Sequence, residues 1–357
     1  MNIAFFVSSL LSAYWNGAAT YYRGLIKALH NRGHRITVYE PDAYDRQQHR
    51  DLEHPSWARV MVYANDEDAV LHALEAARRD ADMIVKASGI GVFDELLEAA
   101  VLEMKEQQKH IVYCDVDAPA TLERVENDPG DPFRKLVPRY DFIFTYGGGS
   151  PVVRGYESLG AKLCVPIYNG LDPETHYPVA SDPRFEADLG FLGHRLPDRE
   201  ARVEQFFLNA AEQLPERNFL LGGIGWDGKS LPPNVRNLGH VYTPDHNAFN
   251  CTPRAVLNIS RASMARYGFS PATRVFEAAG AGACLITDAW TGIERFFDPG
   301  EEILVAHSGE EVAAHVVDLT PERARQIGQA AYRRALAQHT YAQRAAQFDD
   351  ILEGAFV

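Results

Sequence analysis

Short apolar runs alternate with amphipathic stretches along most of this chain. Ile3–Ser8, Arg35–Tyr39, Met83–Ala87, Ile111–Asp115, Phe142–Thr145 and Lys162–Pro166 are too short for helices and predict strands. Between several of them, Ala18–Asn31, Asp66–Arg79, Val92–Gln107 and Pro151–Ser158 carry apolar residues at helical spacing. Brief, continuously apolar strands separated by helices of ten or more residues signal a parallel sheet covered on both faces. The pattern then restarts. Leu189–Gly193, Asn218–Leu221, Val235–Leu238, Ala255–Ile259 and Cys284–Thr287 predict a second set of strands, with Arg199–Gln213 and Pro271–Ala279 as helices. No short-period repeat appears, so the chain reads as two copies of one α/β architecture rather than a solenoid.

Ile167–Asp188, rich in Pro, Asp and Gly and without periodicity, separates the two sets. Pro321 to Leu352 predicts two or three helices rich in Ala and Arg. A length of 357 residues suits two domains, each with its own core. Hydrophobic residues at 46% and charged residues at 24% are ordinary globular values.

Charge and cysteine usage narrow the picture further. A net charge of −14 argues against nucleic acid or an anionic membrane as the main partner. Cys114, Cys164, Cys251 and Cys284 have neither metal nor disulfide spacing and read as buried thiols of a reducing compartment. The start MNIAFFVSSLL lacks a basic leader region and reads as a first strand, and no apolar run reaches membrane-spanning length. A cytoplasmic location is expected.

The segment from Phe269 to Asp288, FSPATRVFEAAGAGACLITD, carries the most chemistry. Ser270 and Pro271 predict a helix start, with Ser as N-cap and Pro at the first helical position. Free amides at that end, with Arg274 beside them, can hold a diphosphate. Glu277, one turn further in, can accept hydrogen bonds from ribose hydroxyls. A capped surface helix with a solvated Arg and Glu would use the same residues.

This segment resembles the donor-binding signature of retaining nucleotide-sugar glycosyltransferases, and more narrowly that of their CgeB-like branch. The family pattern is Glu, seven residues, Glu, then A-x-A-x-G and a buried strand. Glu277 matches the second Glu, and Gly280 or Gly282 the glycine. Phe269 stands where the first Glu would be, and no carboxylate lies between Arg261 and Phe276. Arg266, Tyr267 and the backbone around Ser270 are the available substitutes for holding sugar hydroxyls. The junction YNGLDPETHYP resembles the P-N-G-V-D segment leading into the second domain of this superfamily, although a plain turn at Asn169–Gly170 would look alike.

The resemblance implies the GT-B architecture, with two Rossmann-like doubly wound parallel-sheet domains facing a cleft. Residues 1–167, joined by a crossing helix at about 339–357, would take the acceptor. Residues 168–338 would hold the donor. In such sheets ligands bind beyond the carboxyl ends of the strands. After the first strand comes Ser9–Thr20 with Asn16 and Gly17, by resemblance the glycine loop facing donor phosphates and acceptor; a tight turn is the alternative.

After Ile111–Asp115 comes Asp115-Val116-Asp117, a D-x-D tripeptide that invites a metal reading. That reading is set aside, because D-x-D recurs by chance and this fold meets diphosphate charge with helix termini and Arg. Asp115 and Asp117 become candidates for sugar hydroxyls or acceptor activation. Gly147–Ser150 before a helix can be an anion nest or a flexible turn.

In the second half His194, Arg195 and Arg199 follow a strand, and by resemblance Arg195 would reach the diphosphate. Lys229 in GGIGWDGK offers a second cation and Trp226 an aromatic surface. Asn237–Tyr242 corresponds to the nucleobase loop, with Tyr242 at its end. The donor-site set is therefore Asn16, Gly17, Arg195, Lys229, Tyr242, Tyr267, Ser270, Thr273 and Glu277, with Asp115, Asp117 and Arg274 as catalytic candidates. No cofactor and no metal are expected. The donor is a nucleotide diphosphate sugar, a UDP-sugar being favoured, and the acceptor is unassigned. A nucleotide-sugar epimerase of the same architecture and a silent nucleotide-sugar binder are the other readings. The first would turn over donor without acceptor; the second would bind it unchanged.

Overall fold

Two wholly parallel sheets form from these apolar runs in the computed structural model, which describes residues 1–14, 16–106 and 109–355. Trp15 in the Ser9–Thr20 loop, Gln107 at the end of one expected helix, and the last two positions of the expected crossing helix lie outside the described residues. The chain divides into two compact units, residues 1–168 with 341–357, and residues 169–340.

The first unit has seven strands: β1 (Asn2–Phe6), β2 (Arg35–Pro41), β3 (Arg59–Tyr63), β4 (Met83–Ala87), β5 (His110–Asp115), β6 (Phe142–Thr145) and β7 (Cys164–Pro166). Their order is β3-β2-β1-β4-β5-β6-β7. Helices α1 (Ala19–Asn31), α2 (Glu67–Asp80), α3 (Asp94–Ala100), α4 (Ala118–Asn127) and α5 (Gly149–Ser158) make the crossovers. The expected helix from Val92 is shorter and finishes as a tighter turn over Val101–Met104. The last helix of the chain, Tyr341–Ala355, belongs to this unit and packs on α1. Gly24 of α1 admits it: a Cβ there would lie 2.1 Å from the Tyr341 ring. Phe5, Val38, Val85, Val112 and Phe144 from successive strands share one core with Tyr21, Leu25 and Phe348.

The second unit has six strands: β8 (Leu189–Leu192), β9 (Phe219–Gly222), β10 (Val235–Gly239), β11 (Ala255–Asn258), β12 (Leu285–Asp288) and β13 (Leu304–Ala306). Their order is β10-β9-β8-β11-β12-β13. Its helices are α6 (Pro197–Val203), α7 (Asn209–Gln213), α8 (His246–Cys251), α9 (Ala262–Tyr267), α10 (Thr273–Gly280), α11 (Gly309–Asp318) and α12 (Pro321–Gln338), which makes Tyr341–Ala355 helix α13. The single helix expected over Arg199–Gln213 is α6 and α7 joined by a wider π turn, Glu204–Leu208, that turns Phe206 and Phe207 into the core.

In each sheet the strand order reverses beside the first strand, between β1 and β4 and between β8 and β11. Such a reversal opens a crevice at the carboxyl ends of the strands. Three of the four cysteines are buried and all are free thiols; Cys251 is half-buried, on α8 rather than in a strand. Among the described residues no helix is long and apolar enough to cross a membrane.

Candidate functional site

The reversal in the second unit gathers positive charge. β8 runs into Gly193 and His194, and the turn after β9 lies directly against them. Gly223, at φ +126°, makes that possible, since a Cβ there would sit 2.2 Å from the Gly193 carbonyl oxygen. Trp226 donates its indole N–H to the same oxygen at 2.9 Å and is 1% exposed. It is a core residue, not the aromatic surface expected from the sequence. His194 accepts the Ile224 amide on Nδ1 at 3.0 Å, so in the neutral ring Nε2 carries the proton.

Arg199 and Arg274 meet above this floor. Arg199 donates to the His194 carbonyl and lies 5.7 Å over the Phe191 ring. Burial lowers its pKa to about 10, the charges of Arg274 and Arg261 adding to that and Asp198 opposing it. Arg274, on α10, pairs Nη1 with Glu277 Oε2 at 3.2 Å. The Nε groups of both arginines are buried without a hydrogen-bond partner. Arg274 is close enough for its charge to depress Arg199, and each guanidinium holds back a donor, a combination suited to an oxyanion.

Three histidines line the same region. Burial, then His240, Arg199 and Arg274, lowers the pKa of His194 to about 4. Burial and Arg274 lower that of His246 to about 4 against the pull of Glu277. His176 is lowered by burial as well. These rings stay neutral in the folded state at pH 7. Because their folded values lie below the ordinary 6.5, the stability they confer is present above pH 6.5 and is lost as pH falls toward 4. Urea midpoints measured at pH 7 and pH 5 are expected to drop, and the drop should shrink in His246→Gln.

The donor segment departs from the expected cap. α10 begins at Thr273 with Ala272 as N-cap and no side-chain capping bond. Ser270 instead donates its hydroxyl to the Gly268 carbonyl at 2.9 Å. This turn is forced by Gly268 and Phe269, at φ +71° and +47°. The Phe269 ring packs where a Cβ on Gly292 would fall, 2.2 Å away. The position that would carry the first motif Glu is thus filled by a packed aromatic ring. Asn169 donates to the Pro271 carbonyl at 2.9 Å and ties the start of the unit to this turn. Thr273 and Tyr267 are half-buried at the ends of α10 and α9 that face the turn.

Arg195 and Lys229 are engaged in ion pairs of their own. Arg195 pairs with Glu200 at 2.7 Å, and Lys229 with Glu200 at 3.2 Å and with Glu204. The cation that joins Arg274 is Arg199, one turn into the region after β8. Its burial was the missing signal, since a sequence shows only an Arg among polar neighbours. Tyr242 is 67% exposed and meets His240 edge-on at 4.4 Å; His240 lies nearly parallel to His194 at 6.3 Å.

In the first unit, Asn16 is buried and locks the loop after β1, donating to Ser9 and Ser12 carbonyls at 2.8 and 3.2 Å and accepting from Ser8 at 2.9 Å. Gly17 is exposed, and a Cβ there would meet no protein atom within 4 Å. Asp115 is fully buried. It accepts from Ser88 at 2.8 Å, the Asp117 amide at 3.0 Å, Thr121 at 3.1 Å and the Tyr156 hydroxyl. Both its oxygens are engaged with protein donors, so it positions the loop on which half-buried Asp117 sits. Among the described residues no group of three or more His, Cys, Asp or Glu is arranged to hold a metal ion.

Residues 199–350 match the family model described as glycosyl transferase-like. Among solved structures, sucrose-phosphate synthase from Thermosynechococcus elongatus is 14% identical, with a TM-score of 0.72, covering 100% of this chain and 99% of that one. Anabaena HepE in complex with UDP-glucose is 16% identical, TM-score 0.70, covering 99% and 100%. An alpha-glucosyltransferase in complex with UDP and a 13-mer DNA is 12% identical, TM-score 0.71, covering 99% of each chain. No curated protein matches the sequence. The chain has the GT-B fold of these glycosyltransferases, and its second unit carries most of the glycosyl transferase-like match.

Proposed function

We propose that this protein is a cytoplasmic, CgeB-like GT-B glycosyltransferase that moves a sugar from a nucleotide diphosphate sugar to an acceptor, with retention and without metal. The pairing of Arg199 with Arg274, each with a buried, unmatched Nε, carries this reading. Glycosyl transfer passes through an oxocarbenium-like centre while negative charge builds on the leaving diphosphate. Fixed guanidiniums in a partly dry site stabilise that charge without reorganising. The first amides of α10 lack acceptors within the helix and add to the same field.

Residues 169–340 are the donor unit in this reading, with Glu277 on the ribose and the His240–Tyr242 edge beside the base. The first unit takes the acceptor near Asp117, with Asp115 as a positioning residue. The UDP and UDP-glucose bound by HepE make a UDP-sugar the first donor to try.

A thermal-shift screen across nucleotide sugars tests the binding step. Donor at about 100 Kd adds roughly 2.7 kcal/mol of stability. The donor that shifts the melting point should be consumed only with an acceptor present; turnover without one would indicate epimerisation, and binding without turnover a silent binder. Activity is expected to survive EDTA. Its complete loss, restored by Mg²⁺ or Mn²⁺, would return the diphosphate to a metal held by carboxylates.

A further inference from the structure

The first unit holds a buried cation whose Nε has no hydrogen-bond partner. Arg46 follows β2, is 7% exposed, and reaches the carboxyl end of the sheet. Its Nη1 donates to the carbonyls of Ser8 at 3.2 Å and Ile90 at 3.4 Å, and its Nε is buried with no partner. No ion pair among the described residues includes it. The two carboxylates nearby are committed elsewhere. Glu40 accepts from the Leu10 and Leu11 amides, the Ser9 hydroxyl and Gln47. Asp94 takes Lys86 and the amides of Ile90 and Gly91. Burial lowers the Arg46 pKa, against the opposing effects of Tyr44, Tyr22 and the charge of Glu40.

Strained backbone surrounds this guanidinium. Tyr44 and Asp45 both have φ +57°, and Phe93 has φ +55°. Non-glycine residues adopt that region at a cost, and such residues cluster at ligand clamps. Tyr44 is 54% exposed, lies over Arg46 at 5.0 Å, and is tethered by one hydrogen bond to the Gly91 carbonyl at 2.6 Å. A second orphan lies at the same sheet end. The Tyr63 hydroxyl, at the end of β3, is buried without a partner, and the charges of Asp94 and Glu40 reach it.

A buried guanidinium without an ion-pair partner is costly, and its planar fork matches a two-oxygen anion. It stands beside the strand reversal at β1, where this fold takes ligands. We propose that Arg46 binds an oxyanion, phosphate or carboxylate, and that this group belongs to the acceptor. Tyr44 would swing aside to admit it. The assignment to the acceptor rests on the function proposed above; the anion site does not.

Calorimetric titration of the full chain with inorganic phosphate and with acetate, each under saturating UDP, tests this. UDP occupies Arg199 and Arg274, so binding that persists belongs elsewhere. Phosphate or acetate should bind the wild type, and Arg46→Gln should weaken it by about tenfold or more, as loss of a charge-assisted bidentate contact implies. Arg46→Lys should fall between, and UDP affinity should stay unchanged in both. The tighter of the two anions identifies the group. Unchanged anion affinity in Arg46→Gln, or no wild-type binding of either anion, overturns the proposal while leaving the donor reading intact. Anion binding lost in Arg46→Gln from a protein that never binds UDP or any nucleotide sugar keeps the site and sinks the transferase reading. Should Arg46→Gln fail to fold, Arg46→Lys is judged by the same criterion, with undiminished affinity for both anions overturning the proposal.

Discussion

Arg274→Ala is expected to depress kcat by about 10²–10³-fold, the loss typical of one preorganised donor aimed at developing charge. Glu277→Gln should mainly raise the donor KM. The two side chains are three residues apart on α10 and only 3.2 Å from one another, yet the proposal gives them different work. Ribose is remote from the reacting carbon and looks alike in ground and transition states, so its contact supplies uniform binding. The diphosphate gains charge as the glycosidic bond breaks, and only a group facing it discriminates the two states. Arg199→Ala should behave like Arg274→Ala, whereas Arg195→Ala and Lys229→Ala, in their half-buried network with Glu200 and Glu204, should stay near wild type.

Structure alone offers a competing account of any loss. Glu277 is buried, and Arg274→Ala removes a charged partner from its carboxylate, a change that destabilises by up to about 3–5 kcal/mol when a fully buried pair is broken. Measuring kcat at saturating donor, with folding followed by near-ultraviolet circular dichroism, separates the effects. A folded Arg274→Ala enzyme with wild-type kcat would remove the diphosphate from this site.

Central strands were legible in runs such as Met83–Ala87, buried throughout, and the edge strands β7 and β10 were legible as well. β3 and β13 escaped for local reasons. β3 has alternate residues exposed, and β13 is three residues long. α4 escaped because Asp117 and Pro119 look like a loop; here they start a helix. At the site, sequence brought Arg274 and Glu277 forward because they share one local segment. Arg199, His176 and His246 come to them through sheet topology, from the regions after β8, before β8 and after β10, which no local pattern encodes. Ser270 misled for a different reason. A Ser-Pro pair is a good helix start by propensity, but the Gly268–Phe269 turn uses its hydroxyl and delays the helix to Thr273.

Asp115→Ala should unfold the first unit more readily than it alters chemistry. The carboxylate is fully buried and gathers β4, β5, α4 and α5 through Ser88, the Asp117 amide, Thr121 and Tyr156. Deleting it leaves four donors to find other acceptors, each unsatisfied one costing about 1–3 kcal/mol. With partial relaxation the expected loss is about 3–5 kcal/mol, within the range for breaking a buried charged network. Asp115→Asn retains the carbonyl but turns an amide toward one set of donors, so it should cost less. Asp117→Asn, at a half-buried position, should cost less stability than Asp115→Ala, while lowering transfer if it serves the acceptor. Urea denaturation and transfer rates on all three variants decide the roles. A fully stable Asp115→Ala protein that had lost transfer would make Asp115 the catalytic group and Asp117 the bystander.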